Sequence, residues 1–117
     1  MSFKFEKIII WQKAMDFGEG LNLIAIEFPN HELYNLSSQI RRAGDSIALN
    51  ISEGSILQTT KEFQKFIGYS IRSLAEVITC LYKARNRNYI SIEKFELFYK
   101  KSYELMNMMI AFRKGLQ

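Results

Sequence analysis

One histidine, one cysteine and one proline in 117 residues leave little with which to build a catalytic site. His31 falls in the turn Phe28-Pro29-Asn30-His31-Glu32, and no Glu-x-x-His pair exists to make a di-metal site of the kind helix bundles hold. Cys80 has no second cysteine to bridge, which excludes an internal disulfide and fits a reducing cytoplasm. Without a histidine to activate it, the thiol reads as a packed or an interfacial side chain. No glycine-rich phosphate loop is present. No apolar run approaches the roughly twenty residues that span a bilayer. Charged residues interrupt the N-terminal stretch Met1 to Trp11, so no signal peptide is expected. The inventory predicts a non-enzymatic cytoplasmic protein with no cofactor, no metal, no small-molecule substrate and no membrane span.

What the chain does have is an ordinary globular balance, 48% hydrophobic and 24% charged. At this length one domain over residues 1–117 can bury a core without staples. The net charge of +4 is unevenly placed. Residues 1–60 carry five Lys/Arg against seven Asp/Glu, and residues 61–117 carry eleven against five. A basic second half points to a polyanionic or acidic partner.

Periodicity predicts four helices and no strand beyond a short leader. Residues 1–8 alternate apolar and charged and read as an extended strap. Helix one is expected over Ile10 to Phe28, ended by Pro29. Its apolar positions Trp11, Ala14, Met15, Phe17, Gly18, Leu21, Ile24, Ala25 and Phe28 sweep more than the roughly 100° that one core face needs. The excess implies either a contact between subunits or burial on two sides of its own bundle. Helix two is expected over Leu33 to Ser52, with Gly54 as its C-terminal cap. Helix three runs from an N-cap at Thr59 or Thr60 to Arg87, with Phe63, Phe66, Ile67, Ser70, Leu74, Val77, Ile78 and Leu81 inward. Ser91 caps helix four, which turns Ile92, Phe95, Phe98, Ser102, Leu105, Met109, Phe112 and Leu116 to the core. The fold class expected is all-α, an antiparallel up-down-up-down four-helix bundle.

The stretch Leu33 to Gly54 organises the rest. Leu36, Ile40, Ala43, Ile47, Ile51 and Gly54 form one narrow apolar stripe at helical period. Gln39, Arg42, Ser46, Asn50 and Glu53 form a polar line beside it, and Gly44 and Ala48 leave room for another helix on the other flank. The polar line reads as a structural seam, with Arg42, Asn50 and Glu53 mostly buried and bonded to other helices. Glu53 and Glu76 read as ion-pair partners for Arg41, Arg42 or Arg72.

Helix three carries a second line. At 100° per residue, Lys61, Lys65, Arg72 and Lys83 point within about 40° of one another, away from the apolar face. Such a line can lie along a polyanion, with phosphate contacts supplying affinity rather than sequence readout, or it can be a plain solvated face. Glu76 interrupts it. Tyr69, Tyr82 and Tyr89 are candidate stacking aromatics, scattered along the chain.

Three segments together resemble a known family. F-E-K-I-I-I-W-Q-K-A-M from Phe5, the run F-P-N-H-E-L-Y-N-L-S-S-Q-I-R-R-A-G-D-S-I-A-L-N-I-S-E-G and E-F-Q-K-F-I-G-Y-S-I-R-S-L-A-E-V-I-T-C-L after it resemble the bacterial 23S rRNA-intervening-sequence proteins. The chain departs from the family's usual pattern at Asn35, Ala48, Ser52, Ser70, Arg72 and Ile78. The resemblance implies a small bundle assembled as a ring-shaped homopentamer. It also implies kinship with the accessory variability proteins of diversity-generating retroelements, which bind nucleic acid and a reverse transcriptase. The functional expectation is a homo-oligomeric accessory module for RNA, DNA or a reverse-transcriptase-like protein. The alternative is a structural or protein-binding oligomer with no nucleic-acid role.

Overall fold

A computed structural model describes residues Met1–Gln117 as four helices without a strand: α1 Ile9–Ile26, α2 Leu36–Ser55, α3 Thr60–Asn86 and α4 Ile92–Gly115. Pro29 separates α1 from a short 3-10 turn at Asn30–Glu32, and the chain enters α2 only after Asn35, whose ψ of −100° lies outside the helical well. Helix two therefore starts three residues later than its apolar period implied. Asn35 makes no side-chain cap. Instead the Glu32 carboxylate accepts from the Asn35 amide at 3.0 Å and lies 3.4 Å from the Leu36 N–H, which places negative charge at the positive end of the α2 dipole.

At its other end α2 continues through Gly54 to Ser55, so Gly54 is not the cap that its type suggested. Its role is close approach. A Cβ on Gly54 would stand 2.6 Å from the Phe66 Cβ and 2.9 Å from a Phe63 ring carbon, so only glycine lets α2 and α3 meet there. Gly44 lies close to α1 in a softer contact, where a Cβ would meet a Leu21 methyl at 2.8 Å, a side-chain end that can shift. Gly20 lies against the Phe98 ring, which explains a glycine inside α1.

Helix three begins as its sequence implied, with Thr59 Oγ1 accepting from the Glu62 N–H at 3.1 Å. It ends in a paired turn. The Tyr89 N–H reaches back to the Ala84 carbonyl at 2.9 Å and the Asn88 N–H to Arg85 at 3.0 Å, with Asn88 in the left-handed region at φ 62°. Those two bonds satisfy carbonyls that the helix end would leave open. Ser91 Oγ caps α4 by accepting from the Lys94 N–H at 3.1 Å.

One cluster of 25 buried apolar residues draws on all four helices, so the core is continuous. The α2 stripe Leu36, Ile40, Ala43, Ile47, Ile51 and Gly54 is buried throughout. Polar groups inside the core find backbone partners: Ser70 Oγ donates across to the Ile47 carbonyl of α2 at 2.8 Å, and Ser102 Oγ donates within α4 to Phe98 at 2.7 Å. No buried side-chain nitrogen or oxygen lacks a partner.

Three packing expectations change. Residues 1–8 do not form an extended strap; Lys4–Lys7 is a 3-10 turn, closed by the Phe3 N–H donating to Glu6 Oε2 at 2.6 Å. Phe5 still packs on Trp11, with ring centroids 5.1 Å apart, but Phe3 is exposed. Met15 and Ile92 are exposed rather than buried. Each lies one flank away from its helix's core stripe, Ile92 on the side shared by Tyr99 and Tyr103. No helix is long and apolar enough to cross a membrane.

Candidate polyanion-binding groove

Lys61, Lys65, Arg72 and Lys83 all project from the outer side of α3 and all are exposed. The reason is geometric: they lie opposite Phe63, Ile67, Leu74 and Leu81, which α3 buries. None of the four makes an ion pair. The chain's ion pairs are Arg87–Glu32 at 2.9 Å, Lys94–Glu27 at 2.8 Å and a longer His31–Glu32 approach at 3.8 Å. Arg72 is steadied by the Tyr69 ring, 5.7 Å from its guanidinium carbon.

The α2 polar line is not the buried seam that its spacing implied. Gln39, Arg42 and Glu53 are exposed, and Asn50 is half-buried but donates to the Ser46 carbonyl of its own helix at 2.8 Å. Gln39 likewise bonds Asn35 at 3.0 Å within the same segment. Only Ser46 crosses to another helix, its Oγ lying 3.2 Å from Ser73 Oγ. The line sits too far round α2 from the core stripe for α3 to cover it. Glu53 and Glu76 pair with none of Arg41, Arg42 or Arg72, since the only carboxylates in ion pairs are Glu27 and Glu32.

What the structure does is bring two residues of each line together. Gln39 and Arg42 of α2 face Arg72, Glu76, Thr79 and Lys83 of α3 across an open groove of about 500 Å³. Ala75 keeps the α3 wall low, and buried Cys80 contributes at the base. Three unpaired cations against one carboxylate make the groove electropositive. Gln39 and Thr79 add uncharged hydrogen-bonding groups. Lys61 and Lys65 continue the same cationic line toward the α3 N-terminus, about 16 Å from Arg72 at the Lys61 end. Burial pushes the Cys80 thiol up, with Glu76 adding to it and Lys83 and Arg87 opposing. Cys80 is thus a packed thiol whose ionisation the site disfavours. No group of three or more His, Cys, Asp or Glu side chains is placed to hold a metal ion.

A second polar assembly escaped the sequence reading. Glu32, only 4% exposed, accepts from Tyr89 Oη at 2.6 Å and from Arg87 Nη1 at 2.9 Å. His31 Nε2 lies 3.2 Å from the same Tyr89 oxygen. Tyr89 is therefore half-buried and engaged, not a free stacking ring. The tyrosine bond is the leading cause that holds the Glu32 carboxyl below its ordinary range; burial opposes it, and the Leu36 N–H, Arg87 and Asn35 add to it. The one available signal was Glu32 standing four residues before the first buried residue of α2.

The wide apolar arc of α1 is only partly absorbed within the chain. Met15, Leu23 and Ile26 remain exposed, as does Leu49 on α2. Phe5, Trp11, Met15 and Leu49 line a groove of about 410 Å³ between those helices, with Glu19, Asp45, Ala48 and Ser52.

The sequence profile described as 23S rRNA-intervening sequence protein matches residues 6–111. No curated protein matches the chain. A crystal structure of a protein with unknown function from the S23 ribosomal protein family of Bacteroides thetaiotaomicron VPI-5482 superposes with a TM-score of 0.84. The two share 23% sequence identity over 92% of this chain and 96% of that one, a likeness of fold.

Proposed function

The chain belongs to the 23S rRNA-intervening sequence protein family, and from that premise we propose that it is a non-enzymatic, homo-oligomeric module that binds RNA or another polyanion. The observation that carries this reading is the set of unpaired cations Arg42, Arg72 and Lys83 around one groove, extended along α3 by Lys65 and Lys61. Cations that spend no Coulomb energy on internal carboxylates keep it for a phosphate backbone. The binding is positional rather than sequence-reading, because the groove's hydrogen-bonding groups are few.

We read the helices as an antiparallel up-down-up-down bundle. The contacts Ile47–Ser70, Ser46–Ser73 and Gly54–Phe66 support it, since residues later in α2 meet residues earlier in α3. The exposed apolar side of α1 and α2 supplies a subunit contact, and the assembly proposed is a homopentamer. A ring repeats the cationic line around its axis, so contacts that are weak singly add through multivalency.

A salt titration of RNA binding tests the reading. The parent is expected to bind with a steep salt dependence, and K61Q/K65Q/R72Q/K83Q to lose roughly 0.7 in slope for each phosphate contact removed from a single strand. No binding at low salt, or a quadruple variant that binds as tightly as the parent, would overturn it. The second reading, an oligomeric scaffold without a nucleic-acid role, rests on the α1–α2 apolar face and predicts that outcome.

A further inference from the structure

We infer that the α3–α4 flank carries a stacking platform for unpaired nucleobases, built from Tyr82, Tyr99 and Tyr103. The inference rests on the phosphate-binding reading above and names the substrate class for it, a single strand. Tyr82 of α3 and Tyr99 of α4 meet edge to face with ring centroids 6.3 Å apart, and Tyr103 follows one turn along α4. All three stay open, at 38%, 39% and 61% exposure, although large rings at a helix junction are ordinarily covered.

The platform is held from below. Buried Phe95 lies 4.9 Å from Tyr82 and 5.8 Å from Tyr99. The Arg85 guanidinium covers Tyr82 at 4.9 Å and Phe95 at 4.6 Å. Rings fixed in this way lose little freedom when a planar ligand settles on them. Cation and ring side by side are also what a base and its phosphate each require.

Charge selects nucleic acid over a neutral protein surface. Lys83 and Lys100 follow Tyr82 and Tyr99 in the chain, and residues 61–117 carry eleven Lys/Arg against five Asp/Glu. Glu96, one turn before Tyr99, and Glu104, which follows Tyr103, are the carboxylates beside the rings, against the three cations Lys83, Arg85 and Lys100. The α3 cations lie on the adjacent face, about 100° round the helix from Tyr82 to Lys83. Spacing selects a single strand. Tyr82 and Tyr99 are 6.3 Å apart, and Tyr99 and Tyr103 about 6 Å apart along the axis. Stacked duplex bases repeat every 3.4 Å or so along each strand and turn inward. Only bases splayed from an unpaired strand can reach successive rings.

The test compares three probes by fluorescence anisotropy at fixed salt: a short oligouridylate, an abasic oligomer of equal length, and a duplex of equal length. The parent is expected to hold the oligouridylate more tightly than the abasic strand, which presents the same phosphates without bases. Tyr99→Ala and Tyr103→Ala should each weaken oligouridylate binding about fivefold or more and leave the abasic strand unaffected. Tyr103→Phe, which keeps the ring, should retain the difference. Lys65→Gln should weaken both single strands equally. Equal binding of intact and abasic strands, or a duplex preference, overturns the platform and leaves the phosphate reading standing. Failure of every probe to bind overturns both. A change in assembly mass on Tyr103→Ala makes this flank a subunit contact and also overturns the platform.

Discussion

Tyr89 Oη donates a 2.6 Å hydrogen bond to Glu32 Oε2, tying the turn before α2 to the turn after α3. Two distant termini are thereby joined through one carboxylate. Glu32 supports the start of α2 through Leu36 and Asn35, and the paired turn at Asn88 aims Tyr89 at it. Arg87 completes the set at 2.9 Å. The junction orders the end of the bundle and touches the groove only through Asn35, which accepts from Gln39, so its main consequences are for stability.

The first consequence is a pH dependence with a defined sign. The folded Glu32 carboxyl is held below the usual 4.5, so the unfolded chain takes up the proton first. Its contribution is complete above that value and is lost as pH falls through it toward the folded pKa. Tyr89 has the opposite sense. The bond to Glu32, then burial, raise its phenol above the usual 10, so its contribution holds below pH 10 and is lost as pH climbs beyond. Thermal melts should show both limbs. Glu32→Gln should lower Tm at neutral pH and flatten the acid limb; an acid limb unchanged in this variant would place its origin elsewhere.

Gly54→Ala is expected to be among the most destabilising methyl additions available in this chain, because Gly54 is buried against α3. The new Cβ would stand 2.6 Å from the Phe66 Cβ, which is anchored to backbone and cannot swing aside. Overpacking of this kind costs about 1–3 kcal/mol. Gly115→Ala is the control, since nothing lies within 4 Å of its added Cβ and a helix propensity gain is expected instead. Chemical denaturation of both variants checks the contrast, and equal midpoints would refute it.

The core was legible because period alone decides which side of a helix faces inward. Leu36, Ile40, Ala43, Ile47 and Ile51 followed from spacing and are all buried. Spacing did not reveal what covers a flank. Ser46 meets Ser73, yet Arg42 and Glu53 reach solvent, because α3 crosses on one side of that line only. Nor could period show that Arg42 and Arg72, thirty positions apart, share a groove. Helix boundaries shifted where something other than period decided them: at the start of α2 the nearby Glu32 carboxylate supports Leu36, and at its end Gly54 serves close approach to Phe66 rather than a cap. One expected energy changes accordingly. Asn50 bonds only its own helix, so Asn50→Leu should move stability by no more than about 0.5 kcal/mol; a loss of several times that in a urea titration would restore a buried role for it.

Self-association should depend on the α1–α2 face. Met15 is 44% exposed and Leu49 57%, and both line one apolar groove, so a charge at either would be desolvated in a subunit contact. Analytical ultracentrifugation is expected to show an assembly of the parent near five times the 13.7 kDa chain mass. M15E/L49E should shift it to monomer without loss of helicity. A parent that sediments as a monomer at micromolar concentration would remove the oligomer altogether. A variant that assembles like the parent would move the contact to α4, where Leu97 is exposed.

Arg42 separates a groove from a single cationic helix. It stands on α2, opposite Arg72 and Lys83, and no carboxylate pairs with it. If a phosphate backbone enters between the two helices, Arg42→Gln should reduce the salt slope by about the 0.7 that one contact supplies on a single strand. If the polyanion lies along α3 alone, the slope should not change. Glu53→Gln, on the same α2 line but outside the groove, should leave the slope near the parent's and guards against a general effect of charge on that helix. Glu76→Gln should act in the reverse direction, tightening binding, because it removes the carboxylate that faces the incoming phosphates. Measured together on one RNA, these three variants decide whether α2 contributes to the ligand or merely borders it.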